Sequence, residues 1–396
     1  MLPYGKHSIT EEDIAAVTAA LRSDFLTQGP LVAAFERRFA TRVGAKHAVA
    51  VCNATAALHL ALKVAGIGPG HRVVTSPNTF LASANCAAYV GATPDFADTD
   101  PLTGTLDPVA LARTWQADTR AVVAVDFAGQ AADLPAIAQV ARSRGAIVIE
   151  DACHAVGGQF HADGRIWNIG GNPWADMAVF SFHPVKTLTT GEGGMLVTNC
   201  PDWAAQVRRL RSHGIERDPA SFELLAAEPW TYEMQELGYN YRLTDLQCAL
   251  GLSQLDRLES VLARRRAIVA AYNEGLAGLP WFTPPGLRTP ADAGTTSWHL
   301  YAVQIDFAAL GKSRAQVMTD LRSAGVGTQV HYIPVHLQPW YRKTFGYGPG
   351  QCPVAESYYE RTLSLPLYPA MTDADVAHVV DTVRSLALHS SLVSSS

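Results

Sequence analysis

Between residues 48 and 151 the chain alternates short apolar runs with longer stretches of helical periodicity, an order that few folds accommodate. AVAV at 48–51 leads into ATAALHLALKVAG, RVVTS at 72–76 into FLASANCAAYVG, and AVVAVDF at 121–127 into DLPAIAQVARSRG. AIVIED at 146–151 closes the series. This order predicts a largely parallel sheet with helices on both faces. Ligands bind such sheets at the carboxyl ends of the strands. Upstream, Ser8 with Glu11 forms a capping-box pattern that starts a helix through Ile14, Val17, Ala20 and Leu21. A second helix, 31–43, ends at Gly44. Downstream, 202–240 is less regular, and a long helix runs from Leu243 to about Leu279. A Pro- and Gly-rich excursion at 280–294 precedes WHLYAVQI as a strand, RAQVMTDLRSAG as a helix, GTQVHYI as a strand and two further helices. The expected division is a large domain over 1–250 and a small C-terminal α/β domain over 251–396.

Charge and cysteine usage exclude several classes. The 31 basic residues against 36 acidic ones leave a net charge of −5, which gives no footprint for nucleic acid. No apolar run reaches the roughly 20 residues that span a bilayer. MLPYGKHSITEED lacks the basic and apolar regions of a secretory signal. Six scattered cysteines without Cys-x-x-Cys spacing fit reduced thiols in a cytoplasmic protein. The tail HSSLVSSS is expected to fray.

Lys186 stands out because it lies between two apolar strand candidates, 177–180 and 195–197, and just before Gly191, Gly193 and Gly194. A lysine so held either snorkels outward as an ordinary surface cation or does chemistry that tolerates loss of its charge. Schiff-base formation is the commonest chemistry of that kind, because it needs a neutral amine. Asp151 ends a strand, where its carboxylate either faces the binding crevice or caps a turn; Glu150 beside it must point the other way. His154 can stack on a planar ligand or serve as a satisfied core histidine. Asn53-Ala54-Thr55 opens a helix after a strand, either as a phosphate site or as a plain turn. Phe80 either covers a flat ring or caps the core, and Ser181 offers a hydroxyl to a phosphate or to water. His183, His331 and His336 lack metal-ligand spacing, and no Gly-x-Ser-x-Gly element is present, so hydrolase readings are weak. Jointly, Thr55, Phe80, Asp151, Ser181 and Lys186 are the parts needed to hold pyridoxal phosphate.

SFHPVKTLTTGEGG, EDACHA, NATAALHLAL, SPNTF and LGYNYRLTDLQCALGLSQL together resemble the sugar aminotransferases of the DegT/DnrJ/EryC1/StrS family, from Tyr4 to about Pro369. The resemblance implies an α/β fold like that of aspartate aminotransferase (fold type I), with a large, mostly parallel seven-stranded sheet domain and a small C-terminal α/β domain. It also implies a homodimer with shared active sites. Lys186 would then form the imine with pyridoxal 5′-phosphate, which cycles through pyridoxamine phosphate, and Asp151 would pair with the pyridine nitrogen. Phe80 would stack on the ring with His154 near its other side. Ala54, Thr55 and Ser181 would bind the phosphate, with Asn240 from the neighbouring subunit. Tyr4, Asp24, Phe25, Leu26, Thr27, Thr328, Gln329, Val330 and His331 match positions that contact the nucleotide sugar, and Arg242 is a further candidate. Asn53-Ala54 departs from the family's more usual Ser-Gly or Ser-Ala, which bears on the fine geometry of the phosphate site.

PYGKHSITEEDI, RSDFLTQGP and QVHYIPVHLQPWY are most similar to members acting in pseudaminic acid biosynthesis. Those aminate C4 of a UDP-linked 2-acetamido-2,6-dideoxy-4-keto-hexose with L-glutamate as donor. Amination of another 4-keto epimer and a non-catalytic cofactor-binding regulator are the rival expectations. Related dehydratases carry histidine at the lysine position, and Lys186 argues against that activity.

Overall fold

The computed structural model describes residues 1–224 and 226–387, so the HSSLVSSS tail lies outside the described residues. Seven strands form the main sheet: β1 His47–Val51, β2 Arg72–Thr75, β3 Thr93–Phe96, β4 Thr119–Val125, β5 Ile147–Asp151, β8 Met177–Ser181 and β9 Gly194–Thr198. Their order is β1-β9-β8-β5-β4-β2-β3. Only β9 runs antiparallel to its neighbours, so the sheet is mostly parallel, as the strand–helix alternation predicts. Between β5 and β8 the chain makes a hairpin, β6 Gln159–Ala162 with β7 Arg165–Asn168. Two-residue strands β10 Ile215–Glu216 and β11 Glu233–Met234 pair farther along. The C-terminal part carries a separate sheet of β12 Phe282–Thr283, β13 Tyr301–Ile305 and β14 Thr362–Leu365.

Successive strand residues point to opposite faces, and both faces are buried. Val122, Val148 and Phe180 join Phe35, Phe39 and Phe182 in one core layer. Their strand neighbours Val123, Ile149 and Val179 join Leu58, Leu62 and Leu210 in the other. That is why these strands read as unbroken apolar runs. Each fully buried side chain of this kind contributes about 1.5–3 kcal/mol. A third core surrounds the small sheet, with Tyr272, Tyr301, Val303, Leu363 and Val379. The helix Leu258–Gly275 ties the parts together: Leu258 and Leu262 pack in the first core, Ile268 and Tyr272 in the third.

Four local expectations are corrected. The first helix is capped by Thr10 with Asp13, not by Ser8 with Glu11. The Ser8 carbonyl instead accepts from Gln254 and Arg257. The long helix after Leu243 is two helices, Asp245–Asp256 and Leu258–Gly275, broken at Arg257. Arg257 leaves helical geometry there (φ −108, ψ 8), and its guanidinium reaches Asp13 at 2.7 Å. Apolar periodicity continues across the break, so the pattern alone hides it. Within the stretch read as irregular, Pro201–Leu210 is a helix started by Pro201 in its first turn. GTQVHYI is not a strand; among the described residues its only bridge is Gln329 to Ser364, and past it His331 and Tyr332 line a cavity.

Candidate active site

The carboxyl ends of β1, β5 and β8 meet at one edge of the sheet, and because β9 is antiparallel its first residue, Gly194, lies at the same edge. A cavity of about 490 Å³ opens there, within the range of small-molecule sites. Each strand delivers one group to it. After β1, Asn53 caps the helix Ala54–Val64 by accepting the Ala56 N–H at 2.8 Å. The Ala54 and Thr55 N–H groups belong to the first helical turn and have no intrahelical acceptor, which suits an anion. Gly194 lets β9 close on this turn: a Cβ there would lie 2.5 Å from the Asn53 carbonyl carbon and 2.6 Å from the Ala54 nitrogen. Ser181 ends β8 beside Gly194, and its Oγ accepts the His183 N–H at 3.4 Å.

Asp151 ends β5 and is 4% exposed. Ser83 Oγ donates to its Oδ2 at 2.6 Å, and the Cys153 N–H donates to Oδ1 at 3.2 Å. Thr79 Oγ1 contacts Ser83 Oγ at 2.7 Å. Two donors therefore fix the carboxylate in the cavity. Phe80, 58% exposed, stands at the mouth opposite Tyr332, with ring centroids 6.4 Å apart.

Lys186 enters from the turn after β8. Desolvation pulls its amine from the ordinary 10.5 down to about 8. Nζ lies 3.4 Å from His299 Nε2, a contact that sequence reasoning missed. His299 precedes β13, more than a hundred residues away, and no local motif marks it. Its Nδ1 is buried without a partner among the described residues. Burial first, and the lysine charge second, hold His154 and His299 well below the usual histidine range and His331 at about 3. Three imidazoles held in the neutral form therefore share the cavity lining with the amine. The Ala128 N–H donates to His154 Nδ1 at 3.3 Å, so His154 carries its proton on Nε2 and donates it to Tyr332 Oη at 3.2 Å.

The cavity thus brings together Tyr4, Ala54, Thr55, Phe80, Asp151, His154, Ser181, Lys186 and His331 among the expected residues. Asp24, Phe25, Leu26, Thr27, Thr328, Gln329, Val330, Asn240 and Arg242 do not line it in this chain. The 24–29 loop is held elsewhere by Asp245, which accepts the Gly29 N–H at 2.7 Å and the Leu31 N–H at 3.0 Å. Ser83, His299 and Tyr332 are additions that only proximity reveals.

These residues fit pyridoxal phosphate. The close-fitting turn at Gly194 shapes an anion cradle, the buried carboxylate can meet a ring nitrogen, and the amine is readily neutral. One consequence is measurable in the apoprotein. Labelling of Lys186 by an amine-reactive reagent, followed by peptide mass spectrometry, should rise with a midpoint near pH 8. A midpoint near that of exposed lysines would show that burial does not set its basicity. The linkage has a definite sign: the folded state loses this proton first, so the desolvation cost to stability fades as pH climbs from about 8 towards 10.5.

A family model, the DegT/DnrJ/EryC1/StrS aminotransferase family, matches residues 7–384. The spore coat polysaccharide biosynthesis protein SpsC of Bacillus subtilis (strain 168) is 45% identical over 389 residues, 97% of each chain. Spr1654 of Streptococcus pneumoniae in its PMP form superposes with a TM-score of 0.89 at 30% identity, covering 98% of this chain and 100% of that one. It is also solved in a PLP form. Helicobacter pylori PseC, an aminotransferase involved in the biosynthesis of pseudaminic acid, superposes with a TM-score of 0.88 at 29% identity, over 98% of this chain and 99% of that one.

Proposed function

Because this chain belongs to the DegT/DnrJ/EryC1/StrS aminotransferase family, with its fold type I architecture and pyridoxal phosphate cofactor, we propose a specific reaction for it. The enzyme moves an amino group from L-glutamate to C4 of a UDP-2-acetamido-2,6-dideoxy-4-keto-hexose (β-L-arabino). The product is UDP-4-amino-4,6-dideoxy-N-acetyl-β-L-altrosamine, on the route to pseudaminic acid in the cytoplasm. The observation that carries amino transfer is the Lys186 amine, poised near pH 8 beside neutral His299 in the cavity that also holds Asp151. The β-L-arabino configuration rests on the likeness to PseC.

Bound pyridoxal phosphate supplies an electron sink that weakens the Cα–H bond of an amino donor. The chain does the rest. Ala54, Thr55 and Ser181 would hold the phosphate, Phe80 would cover the ring, and Asp151 would meet the ring nitrogen. Lys186 Nζ, released as a free amine, takes the proton from the donor's Cα. In the second half-reaction it delivers a proton to C4 of the sugar. His299 Nε2, 3.4 Å away and neutral, is placed to accept a hydrogen bond from this amine.

The homodimer belongs to this proposal. Among the described residues lining the cavity, Lys186 is the only lysine or arginine. A diphosphate and a dicarboxylate donor need further cations. Arg242 and Asn240 lie outside their own chain's cavity, which suits delivery into the site of a second copy. Tyr4 and His331, which line the cavity, are proposed nucleotide-sugar contacts, together with the 24–27 and 328–330 segments, which do not line it in this chain.

A second reading is favoured by the 45% identity to SpsC, a protein of spore coat polysaccharide biosynthesis: amination of a different 4-keto sugar, such as the D-gluco epimer. Incubating the enzyme with glutamate and each UDP-4-keto epimer, then identifying the amino sugar by NMR, decides between them. The β-L-arabino ketone should be converted fastest. Preference for the D-gluco epimer overturns that assignment, and no 2-oxoglutarate with any ketone leaves a non-catalytic cofactor-binding protein.

A further inference from the structure

Behind Asp151, on the far face of the sheet, two carboxyl groups lie buried that the amino-transfer reading does not use. Glu150 and Asp126 are both fully buried, at 0% exposure. The β4–β5 register pairs Ala124 with Glu150 and Val125 with Asp151. Pleat alternation therefore turns Glu150 away from the cavity as Asp151 faces it, and Asp126, two residues beyond Ala124, falls on the Glu150 side. Each acid has one oxygen fully engaged. Glu150 Oε2 accepts from the Gly170 N–H and from Asn172 Nδ2, both at 2.9 Å. Asp126 Oδ1 accepts from the Ala132 N–H at 3.0 Å. The two remaining oxygens, Asp126 Oδ2 and Glu150 Oε1, are buried and receive no other donor among the described residues.

Two ionised carboxylates facing each other in a dry interior repel strongly, whereas one shared proton makes them a hydrogen bond. Glu150 accepts two donors from the 170–172 loop, so it is the better home for the negative charge. Burial and the neighbouring Glu150 push Asp126 well above the carboxylate range; burial raises Glu150 too, to about 7, but its hydrogen bonds from Gly170 and Asn172 oppose that rise.

The connections of this pair run to the site. The Asp126 N–H donates to the Asp151 carbonyl at 3.1 Å. The turn closed by the Asp126–Ala132 bond contains Ala128, whose N–H sets the tautomer of His154. Glu150 is bonded to Asp151 itself. We propose that Asp126 is retained as a neutral acid donating its proton to Glu150, and that this carboxyl pair is the positioning device for Asp151 and His154 at the cofactor site. The positioning half rests on the assignment of Asp151 and His154 as cofactor contacts; the location of the proton does not.

The test uses holoenzyme and three variants. Asp126→Asn keeps an N–H donor towards Glu150 and an oxygen for the Ala132 N–H, whereas Asp126→Ala removes both. Glu150→Gln removes the carboxylate that Asp126 faces and puts an amide in its place. Infrared difference spectra at neutral pH should show one protonated-carboxyl C=O stretch in the wild type that is missing from Asp126→Asn and shifted in Glu150→Gln, where its partner becomes an amide. Cofactor affinity, titrated on the apoproteins, should be unchanged in Asp126→Asn and weakened by about tenfold or more in Asp126→Ala. If Asp126→Ala does not fold, Asp126→Leu, which has nearly the shape of Asp126 and likewise neither donor nor acceptor, takes its place in the affinity titration, and Asp126→Asn and Glu150→Gln carry the infrared readout. A spectrum in which Asp126→Asn loses no such band overturns the shared proton. Equal affinity in all variants, or equal loss in Asp126→Asn and Asp126→Ala, overturns the positioning role. Failure of amino transfer with every ketone would leave the infrared band in place, so the two readings fail separately.

Discussion

Replacing Lys186 with alanine is expected to lower turnover by at least roughly 10³- to 10⁴-fold while leaving the fold intact. The change removes the one lysine amine among the described residues that line the cavity, the group proposed to carry a proton to and from carbon. Little stability should be lost, because the amine is already desolvated and its contact within the chain is a 3.4 Å approach to His299. Lys186→Arg should fail as badly, since a guanidinium does not give up its proton near neutral pH. The measurements are 2-oxoglutarate release from glutamate with a keto sugar, thermal unfolding of the apoprotein, and borohydride labelling of the Lys186 peptide with cofactor present. Near-normal turnover in Lys186→Ala, or a label on another lysine, would overturn the assignment.

Asp151→Asn is expected to cost roughly 10²- to 10³-fold in kcat, on the scale of removing one preorganised electrostatic contact from a dry site. The isosteric amide can still accept from the Cys153 N–H and meet the Ser83 hydroxyl, so cofactor binding should largely survive. What disappears is the carboxylate proposed to meet the ring nitrogen. The loss should therefore fall on kcat rather than on KM, and it should be equal for both half-reactions followed in single turnovers. A wild-type kcat in Asp151→Asn would mean that another group faces the ring.

The main sheet was legible because its strands are buried on both faces and its helices carry strong periodicity. Gly44, read as a helix stop, adopts φ 80 and closes the helix as expected. The misreadings share one cause: local patterns do not show which competing partner wins. Thr10 displaced Ser8 as a cap because the Ser8 carbonyl is claimed by Gln254 and Arg257 from a distant helix. The 258–275 helix continued the apolar pattern of the one before it, so the break at Arg257 left no mark in the sequence. The hairpin β6–β7 went unseen, because two four-residue strands with mixed burial give little alternation to read.

The candidate site divides the same way. Residues borne on motifs at strand ends, Thr55, Asp151, Ser181 and Lys186, were readable because a parallel sheet must present those ends at one edge. From the sequence alone came the alternation of strands and helices, the apolar runs that bury both faces, and the chemical types available where those runs stop. The tertiary structure alone decided which side chains meet there: His299 against Lys186, Ser83 against Asp151, Tyr332 against His154, and Asp126 against Glu150. Periodicity is a property of neighbours along the chain. Desolvation, tautomer and shared protons arise from groups separated by tens to hundreds of residues, and they exist only once packing has excluded water between them.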